Sequence, residues 1–202
     1  VVRADVANRT TGTAQAPVLD LGCGRGEWLE LLGDHGLIGR GIDLNRRFLA
    51  SCRDNGLDVV ESDAIQALKT LPPESVGAVT RIHLVEHLPF EQLIELIDVA
   101  LRVLRPGGVL IMETPNPENI DVATIGFYMD PTHRNPIPPQ VLQWLASARG
   151  SHDVRLDPPM VGRRLSAPSL GVTAEQAKSD PALSLASRRL ISPDYAVIAF
   201  RS

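Results

Sequence analysis

Short apolar runs alternate with amphipathic stretches along most of the chain, and a glycine or a polar turn separates many of them. The apolar runs predict buried strands, and apolar residues spaced three or four apart predict helices. Strands are predicted at 18–21, 38–42, 57–60, 77–82, 109–113, 152–156 and 195–201, and helices at 26–35, 45–55, 64–70, 90–104 and 139–148. This alternation predicts an α/β fold with a mostly parallel sheet and helices on both of its faces.

The pattern also predicts how the chain is divided. Residues 1–16 are polar and lack periodicity, so we expect a flexible lead-in. Residues 17–202 form one predicted domain. Within it, 158–193 is rich in serine, proline and arginine, and it is interpreted as a mobile insertion between the last two strands, with one short helix near 173–178.

Composition narrows the class of protein. With 202 residues, 44% of them hydrophobic, one substantial core is expected, and Trp28 and Trp144 are predicted to lie in it. The net charge of −4 argues against nonspecific nucleic-acid binding. No apolar run reaches the roughly 20 residues of a membrane span. Two cysteines with no zinc or disulfide spacing fit a reducing cytoplasm, where we expect the protein to reside.

The segment 18–27, Val-Leu-Asp-Leu-Gly-Cys-Gly-Arg-Gly-Glu, is a strand followed by a glycine-rich turn and the start of a helix. Gly22, Gly24 and Gly26 lack the Cβ atoms that would keep a ligand away from the backbone. The first amides of the helix can bind a polar or anionic group. Asp20 can orient the turn or meet an amino group of the ligand, since a carboxylate inside a strand needs a partner.

Acidic residues follow the next two predicted strands. Asp43 ends the second strand about 20 residues beyond the glycine turn, where a carboxylate can accept hydrogen bonds from ribose hydroxyls. Asp63 follows the third strand and can accept from an adenine amine, with the Ala64 amide on a ring nitrogen. Each aspartate can equally cap the helix that begins after it, and for Asp63 the two roles are compatible.

Several such segments in one order resemble class I S-adenosylmethionine-dependent methyltransferases. The matching segments are 18–26, Asp43, Asp63, 83–88 (His-Leu-Val-Glu-His-Leu) and 104–110 (Leu-Arg-Pro-Gly-Gly-Val-Leu). The resemblance implies a Rossmann-like methyltransferase fold, with a mostly parallel seven-stranded sheet and an antiparallel C-terminal hairpin. It also implies S-adenosylmethionine as cofactor, bound by Asp20, Gly22, Cys23, Gly24, Gly26, Asp43, Leu44, Asp63, Ala64 and His83.

A narrower resemblance covers 113–119, 127–134 and 193–198. These segments are similar to a bacterial branch found beside glycosyltransferases and associated with O-antigen and other surface glycans. The resemblance implies a glycan or small sugar-like acceptor, a possible association with glycosyltransferases, and an acceptor pocket at Tyr128, Asp130, His133 and Arg134. The alternative for this loop is a rigid proline-bounded turn in which Asp130 caps and Tyr128 packs.

The predicted reaction is methyl transfer to an oxygen of the acceptor. A sugar hydroxyl holds its proton tightly, so a general base helps, and His83 or His133 is the candidate. An acceptor phosphate is already ionised, and positioning by Arg134 can suffice.

The segment 83–87 also reads His-x-x-Glu-His, an inverted zinc-protease signature. That interpretation needs a helix that presents both histidines to one metal, together with a distant third ligand. Pro89 cuts the segment short, which disfavours a long helix. The sequence therefore predicts no metal site and a packed His87 with one hydrogen bond.

Two other functions stay open at this stage. A nicotinamide-dependent oxidoreductase or epimerase is disfavoured, because the turn reads G-x-G-x-G rather than G-x-G-x-x-G and no Tyr-x-x-x-Lys pair is present. A module that binds the cofactor without catalysis, within a glycan-assembly complex, is the second alternative.

Overall fold

A computed structural model of the protein describes residues 11–157 and 191–202. One seven-stranded sheet has the order β3-β2-β1-β4-β5-β7-β6. Its strands are β1 (Val18–Leu21), β2 (Gly39–Asp43), β3 (Val59–Glu61), β4 (Val76–Ile82), β5 (Leu104–Pro115), β6 (Ser151–Asp157) and β7 (Asp194–Arg201). β1 to β5 are parallel, whereas β7 runs antiparallel to both β5 and β6. The predicted Rossmann-like sheet and its antiparallel C-terminal hairpin are confirmed.

Six helices accompany these strands in the described residues: α1 (Glu27–Asp34), α2 (Arg46–Asp54), α3 (Ala64–Thr70), α4 (Phe90–Val103), α5 (Ile120–Thr124) and α6 (Pro139–Ala148). All were predicted to within two residues except α5. Local interactions explain where several of these helices begin. The Asn45 side chain accepts from the amides of Arg47 and Phe48 and so caps α2. Proline occupies the first position of α6, where its missing N–H costs nothing.

The core has one layer on each face of the sheet, as buried parallel strands require. The larger layer lies between the sheet and α3, α4 and α6, and it includes Leu21, Val79, Ile97, Leu142 and Val197. The smaller layer lies beneath α1 and α2 and includes Val18, Leu29, Leu49, Ile111 and Phe200. Leucine, valine, isoleucine and alanine supply most of both layers, as the scarcity of aromatic residues suggests.

The predicted lead-in is only partly described, since residues 1–10 lie outside the described part of the chain. For residues 11–16 the prediction of a flexible segment is wrong. Thr11 and Ala16 are buried, and the Ile38 amide donates to the Gly12 carbonyl over 2.8 Å. A Cβ at Gly77 would lie 2.6 Å from the Ala16 carbonyl oxygen. The segment therefore packs closely against the start of β4.

Residues 158–190 of the predicted insertion, including the proposed short helix, also lie outside the described residues. The insertion was predicted to extend to residue 193, and its last three residues are described. The Asn119 side-chain amide donates to the Ile191 carbonyl over 2.7 Å, and the Asn116 amide donates to Ser192 over 3.1 Å. Two buried asparagines thus fix the approach to β7, a role that no local pattern in the sequence indicates.

The two tryptophans differ in burial. Trp28 is half-buried and packs against the smaller core layer. Trp144 is 64% exposed, so its predicted place in the core is wrong. It lies on the outer face of α6, opposite Leu142 and Leu145, which are buried. Within the described ranges, no helix is long and apolar enough to cross a membrane.

Candidate active site

The sheet order reverses between β1 and β4, and the carboxyl ends of both strands meet there. Open parallel sheets bind ligands at this position. A cavity of about 200 Å³ lies beside it. Its lining residues are Gly22, Ile42, Asp43, Leu44, Ser62, Asp63, Ala64, Ile65, Leu84, Leu88 and Leu96. Five predicted cofactor residues are therefore brought together: Gly22, Asp43, Leu44, Asp63 and Ala64.

Backbone amides hold the Asp43 carboxylate in place. One of its oxygens accepts from the Gly24 amide over 2.9 Å, and the other accepts from the Asn45 amide over 2.7 Å. Asn45 itself caps α2, so the alternative role of Asp43 as that cap is wrong. Each oxygen keeps a further lone pair, which leaves the carboxylate able to accept from a ligand hydroxyl.

Asp63 caps α3 as predicted, because its side chain accepts from the Gln66 amide over 2.9 Å. It also lines the cavity together with Ala64 and Leu44, whose side chain is 66% exposed. The cap accounts for one carboxylate oxygen of Asp63. The other is available to a ligand that enters the cavity.

The three glycines of the turn have positive φ angles but different neighbours. A Cβ at Gly24 would meet nothing within 4 Å, so that position opens to space. A Cβ at Gly22 would lie 3.2 Å from Leu84, a residue of the cavity wall. A Cβ at Gly26 would lie 2.4 Å from Leu57. The missing side chain at Gly26 therefore makes room for Leu57 and Cys52, and its role in binding a ligand stays a prediction.

Cys23 and Asp20 point away from the cavity. The Cys23 thiol is buried against Gly41, so only its backbone lies on the ligand side of the turn. Asp20 accepts from the Thr80 hydroxyl over 2.9 Å, and Thr80 in turn accepts from the Trp28 indole over 3.1 Å. Among the described residues, Asp20 makes no hydrogen bond to the turn that it was predicted to orient. Burial is the main cause that raises the pKa of Asp20 to about 7.

His83 stands at the end of β4, with its side chain 45% exposed and its φ at +51°. Its Nδ1 lies 3.3 Å from a Glu86 oxygen, while Nε2 lies 3.8 Å from Asp194 and 4.0 Å from Glu113. The Glu86 contact raises the pKa of His83, burial opposes it, and the charges of Asp194, Glu86 and Glu113 add to the rise. An imidazole among three carboxylates is a strong proton acceptor.

Glu86 is fully buried, and sequence reasoning did not single it out as a site residue. Its Oε2 accepts from Thr114 over 2.9 Å, and Oε1 faces both His83 and His133. Burial alone would raise the pKa of Glu86, but the contacts with His83 and its own backbone amide, together with that of Thr114, hold it below its usual value. Glu86 is therefore a carboxylate at neutral pH.

The loop 127–134 contributes His133 to this region. Its Nδ1 lies 2.7 Å from the Phe127 carbonyl, and its Nε2 lies 3.9 Å from Glu86. The Tyr128 side chain is 65% exposed and contacts the Phe127 ring edge-on. Arg134 is exposed, and its backbone amide donates to the Glu86 carbonyl. Of the predicted acceptor residues, only His133 is thus brought close to the His83 carboxylate cluster.

Asp130 caps its own loop, as the alternative interpretation predicted, by accepting from the Thr132 amide and hydroxyl. The segment 85–87 forms one 3₁₀ turn rather than a helix, and His87 makes the one hydrogen bond expected of it, to Thr132.

Arg81, in β4, is a further buried charge that sequence reasoning missed. Its guanidinium is fully buried and has no hydrogen-bond partner among the described residues. Burial lowers the pKa of Arg81 to about 9, and the nearby Glu86 carboxylate opposes that shift.

Comparison with known proteins decides the family. A family model described as a methyltransferase domain matches residues 4–156, which is more than half of the chain. The chain belongs to this methyltransferase family. A crystal structure of a SAM-dependent methyltransferase from Archaeoglobus fulgidus is 31% identical, with a TM-score of 0.78, and the match covers 99% of this chain and 92% of that one. That neighbour depends on S-adenosylmethionine, the cofactor that the sequence predicts for this methyltransferase.

Curated relatives cover less of the sequence. The methyltransferase is 34% identical over 132 residues to a ubiquinone biosynthesis O-methyltransferase of Xanthomonas oryzae pv. oryzae, a match that covers 62% of this chain and 54% of that one. The chain spans about half the length of the curated relatives it matches. A phosphoethanolamine N-methyltransferase of Haemonchus contortus, solved with S-adenosylhomocysteine, shares the fold at 15% identity and a TM-score of 0.69.

These relatives do not support the predicted surface-glycan branch or an association with glycosyltransferases. The segments that carried that resemblance, 113–119 and 127–134, surround His83 and its carboxylates. The polar residues of these segments help to build the carboxyl end of the sheet, and they do not identify an acceptor.

Proposed function

We propose that this methyltransferase transfers a methyl group from S-adenosylmethionine to a hydroxyl oxygen of a small, uncharged acceptor. The observation that carries the proposal is the position of His83 between three carboxylates at the end of β4, beside the cofactor cavity. The ubiquinone biosynthesis relatives are O-methyltransferases, which supports oxygen as the methylated atom.

The residues on the cofactor side are largely preorganised for binding. Asp43 would accept from the ribose hydroxyls, and Asp63 with Ala64 would bind the adenine edge within the cavity. Because two backbone amides already fix the Asp43 carboxylate, little conformational entropy remains to be lost on binding. The cofactor supplies a methyl group on a sulfonium, which is an excellent leaving group.

Charge on the acceptor side favours a neutral acceptor. Glu86, Glu113 and Asp194 all lie within 4.0 Å of one His83 nitrogen or the other. A phosphate or carboxylate at this point would be repelled by all three. Arg134, the predicted anion partner, is exposed and contacts this cluster only through its backbone amide. The phosphate-acceptor interpretation is therefore the weaker one.

The same geometry gives the proton a path. With Nδ1 directed at Glu86, the neutral His83 ring carries its lone pair on Nε2. An acceptor hydroxyl between Nε2 and the carboxylates of Asp194 and Glu113 would give its proton to Nε2 as the oxygen takes the methyl group. Glu86 stabilises the imidazolium that results, so Glu86 acts as a positioning residue. His133, whose Nε2 faces Glu86, is the second candidate base.

Calorimetric titration with S-adenosylhomocysteine, followed by an acceptor panel, tests the proposal in two steps. Asp43→Asn should weaken cofactor binding by about 100-fold, because one of the two carboxylate oxygens becomes an NH2 donor, which faces a backbone amide and no longer accepts from the ribose. Asp58→Asn is the matched control, since Asp58 lies on the neighbouring segment but pairs only with Arg40 at the surface. Its affinity should equal that of the wild type.

The panel should contain phenols, sugars and a phosphomonoester of similar size, with S-adenosylhomocysteine release as the readout. Turnover confined to hydroxyl acceptors supports the proposal, and phenols against sugars then decide between a quinone-like and a glycan-like substrate. Turnover on the phosphomonoester alone would contradict it. Tight cofactor binding without turnover on any acceptor favours the noncatalytic module.

A further inference from the structure

Three side chains meet on the inner side of the turn that follows β4. Glu86 and His87 belong to the 3₁₀ turn, and His133 comes from the loop 127–134. One potential ligand atom from each lies within 4.8 Å of the other two. The rings of His87 and His133 stand edge to face with their centroids 4.7 Å apart.

The protonation of His133 follows from its partner. Nδ1 lies 2.7 Å from the Phe127 carbonyl oxygen, which can only accept a hydrogen bond. Nδ1 therefore carries the proton, and in the neutral ring Nε2 carries a lone pair. This Nε2 lies 3.9 Å from Oε1 of Glu86, so two acceptors face each other.

The protonation of His87 follows by one further step. Its Nδ1 lies 2.9 Å from the Thr132 hydroxyl oxygen. That hydroxyl directs its single hydrogen to Asp130, which lies 2.6 Å away. Thr132 must therefore accept from His87, whose Nδ1 carries the proton and whose Nε2 carries a lone pair. Each histidine thus donates Nδ1–H to an oxygen, the kind of hydrogen bond that typically fixes the tautomer of a metal ligand.

Glu86 completes the set. Its side chain is fully buried, and Oε1 has no hydrogen-bond partner among the described residues. His83 Nδ1 lies 3.3 Å from Oε1, a contact that is long for a hydrogen bond and leaves the oxygen able to accept a further ligand. Oε1 thus has His83 on one side and the Nε2 lone pair of His133 on the other, and a cation between Oε1 and that lone pair would relieve the contact of two buried acceptors. We propose that Glu86, His87 and His133 bind one transition-metal ion, with zinc as the best match.

The donor set selects the kind of metal. Two imidazoles and one carboxylate are ligands of catalytic zinc sites that keep an open fourth position. Magnesium prefers an octahedron of oxygens and should bind poorly. Tetrahedral zinc needs ligand atoms about 3.4 Å apart. The metal would therefore draw the His133 loop toward the turn, along the line already set by the hydrogen bond from Arg134 to Glu86.

Two cationic side chains compete for the same carboxylate. His83 contacts Oε1 directly, and Arg81 is a buried guanidinium close enough for its charge to act on Glu86. Three protein ligands under this competition should bind more weakly than a closed four-ligand site. We therefore expect a site that loads from metal in solution. Loading would fasten the acceptor loop to the end of β4, whatever the acceptor is.

Cobalt titration of tag-free, chelator-treated protein tests the site directly, because Co²⁺ has visible absorption bands and occupies zinc sites. One equivalent should bind with the spectrum of a four- or five-coordinate ion, Zn²⁺ should displace it, and Mg²⁺ should not. Loss of a hydrogen-bond partner that orients a metal ligand costs about 10- to 100-fold in metal affinity. His87→Ala and His133→Ala should cost more than that, and Thr132→Val should fall within that range.

His35→Ala is the matched control, because His35 is exposed at the end of α1 and far from the cluster in the fold. Its metal affinity should equal that of the wild type. Thermal unfolding and S-adenosylhomocysteine binding of every metal-free variant check the fold, and Thr132→Val, at an exposed position, keeps the test valid where a histidine variant unfolds. Failure to bind one equivalent, or affinity unchanged in His87→Ala or His133→Ala, would overturn the proposal without touching the methyltransferase assignment.

Discussion

The cofactor side and the acceptor side of this site are built by different means. On the cofactor side, the Asp43 carboxylate is held by the amides of Gly24 and Asn45, and Asp63 caps the helix that begins beside it. On the acceptor side, His83 and Glu86 depend on side chains from β5, β7 and the loop 127–134. Backbone amides thus position the carboxylates of the cofactor side, whereas side chains position the residues of the acceptor side.

This difference determines what each half can do. Backbone amides do not titrate, so the two amides that anchor the Asp43 carboxylate remain donors over a wide pH range. The acceptor side contains a histidine between carboxylates, and burial raises the pKa of both Glu113 and Asp194. Its charge, and with it the reaction, should therefore change with pH.

The largest expected effect is on turnover. His83→Ala should lower the methyl-transfer rate by about 10²- to 10⁴-fold, the usual contribution of a general base. In the wild type the rate should rise with pH through a pKa above the ordinary histidine value of about 6.5, because Glu86, Asp194 and Glu113 favour the protonated ring. Rate against pH, measured with saturating acceptor, checks both statements.

In His83→Ala, the rise of the rate with pH should disappear along with most of the rate itself. His35→Ala serves as the control and should retain both. A His83→Ala enzyme with normal turnover, beside an inactive His133→Ala enzyme, would move the base to His133.

The next effect separates two glycines of one turn. Gly26→Ala places a methyl group 2.4 Å from Leu57 at a φ of +88°, so we expect a loss of about 2–5 kcal/mol in the free energy of unfolding from strain and overpacking. Gly24→Ala meets nothing within 4 Å, so only the strain of its positive φ remains, about 1–2 kcal/mol. Urea denaturation measures both.

Cofactor affinity completes the contrast. Gly24→Ala should bind S-adenosylhomocysteine more weakly than its small loss of stability explains, because strain at this residue would shift the amide that anchors the Asp43 carboxylate. Equal stability in the two variants would show that Gly26 is not a packing glycine.

The smallest of the three effects concerns stability against pH. Burial raises the pKa of Asp20 to about 7 in the folded protein, from 3.8 in an unfolded chain. The folded state therefore prefers the protonated form, and its stability falls as the pH rises from about 4 to 7. Asp20→Asn removes this term, worth at most about 4 kcal/mol.

The difference between variant and wild type should be small near pH 4, grow up to pH 7 and stay level above it. Urea denaturation at several pH values would reveal it. A difference that does not vary with pH would mean that Asp20 ionises normally in the fold.

The sequence predicted those parts of the molecule in which local signals decide the structure. Asn45 and Asp63 indicated where two helices begin, and the glycine turn indicated the end of β1. The pattern of apolar runs was sufficient to predict the strands of the sheet. Prediction from sequence failed where contacts between residues distant in the chain determine the structure. Trp144 lies on the outer face of α6 although it is apolar, and Cys23 turns toward Gly41 although it belongs to the ligand turn.

The acceptor side shows the same limit at the level of the site. His83 and His133 were singled out, but Glu86, which links them, was not, because in sequence it is one more acidic residue in a short turn. Asp194 and Glu113 join the cluster only through the antiparallel pairing of β5 with β7. The buried charge of Arg81 could not be predicted, because a single arginine within an apolar strand belongs to no recognisable motif.

The chain of hydrogen bonds from Trp28 through Thr80 to Asp20 has an optical consequence. An indole N–H whose partner donates to a titrating carboxylate should change its emission when that carboxylate gains a proton. Trp144, exposed on the far side of the molecule, contributes a background that does not follow Asp20. A Trp144→Phe protein would therefore carry one native fluorophore that reports, without any label, the charge beneath the cofactor turn.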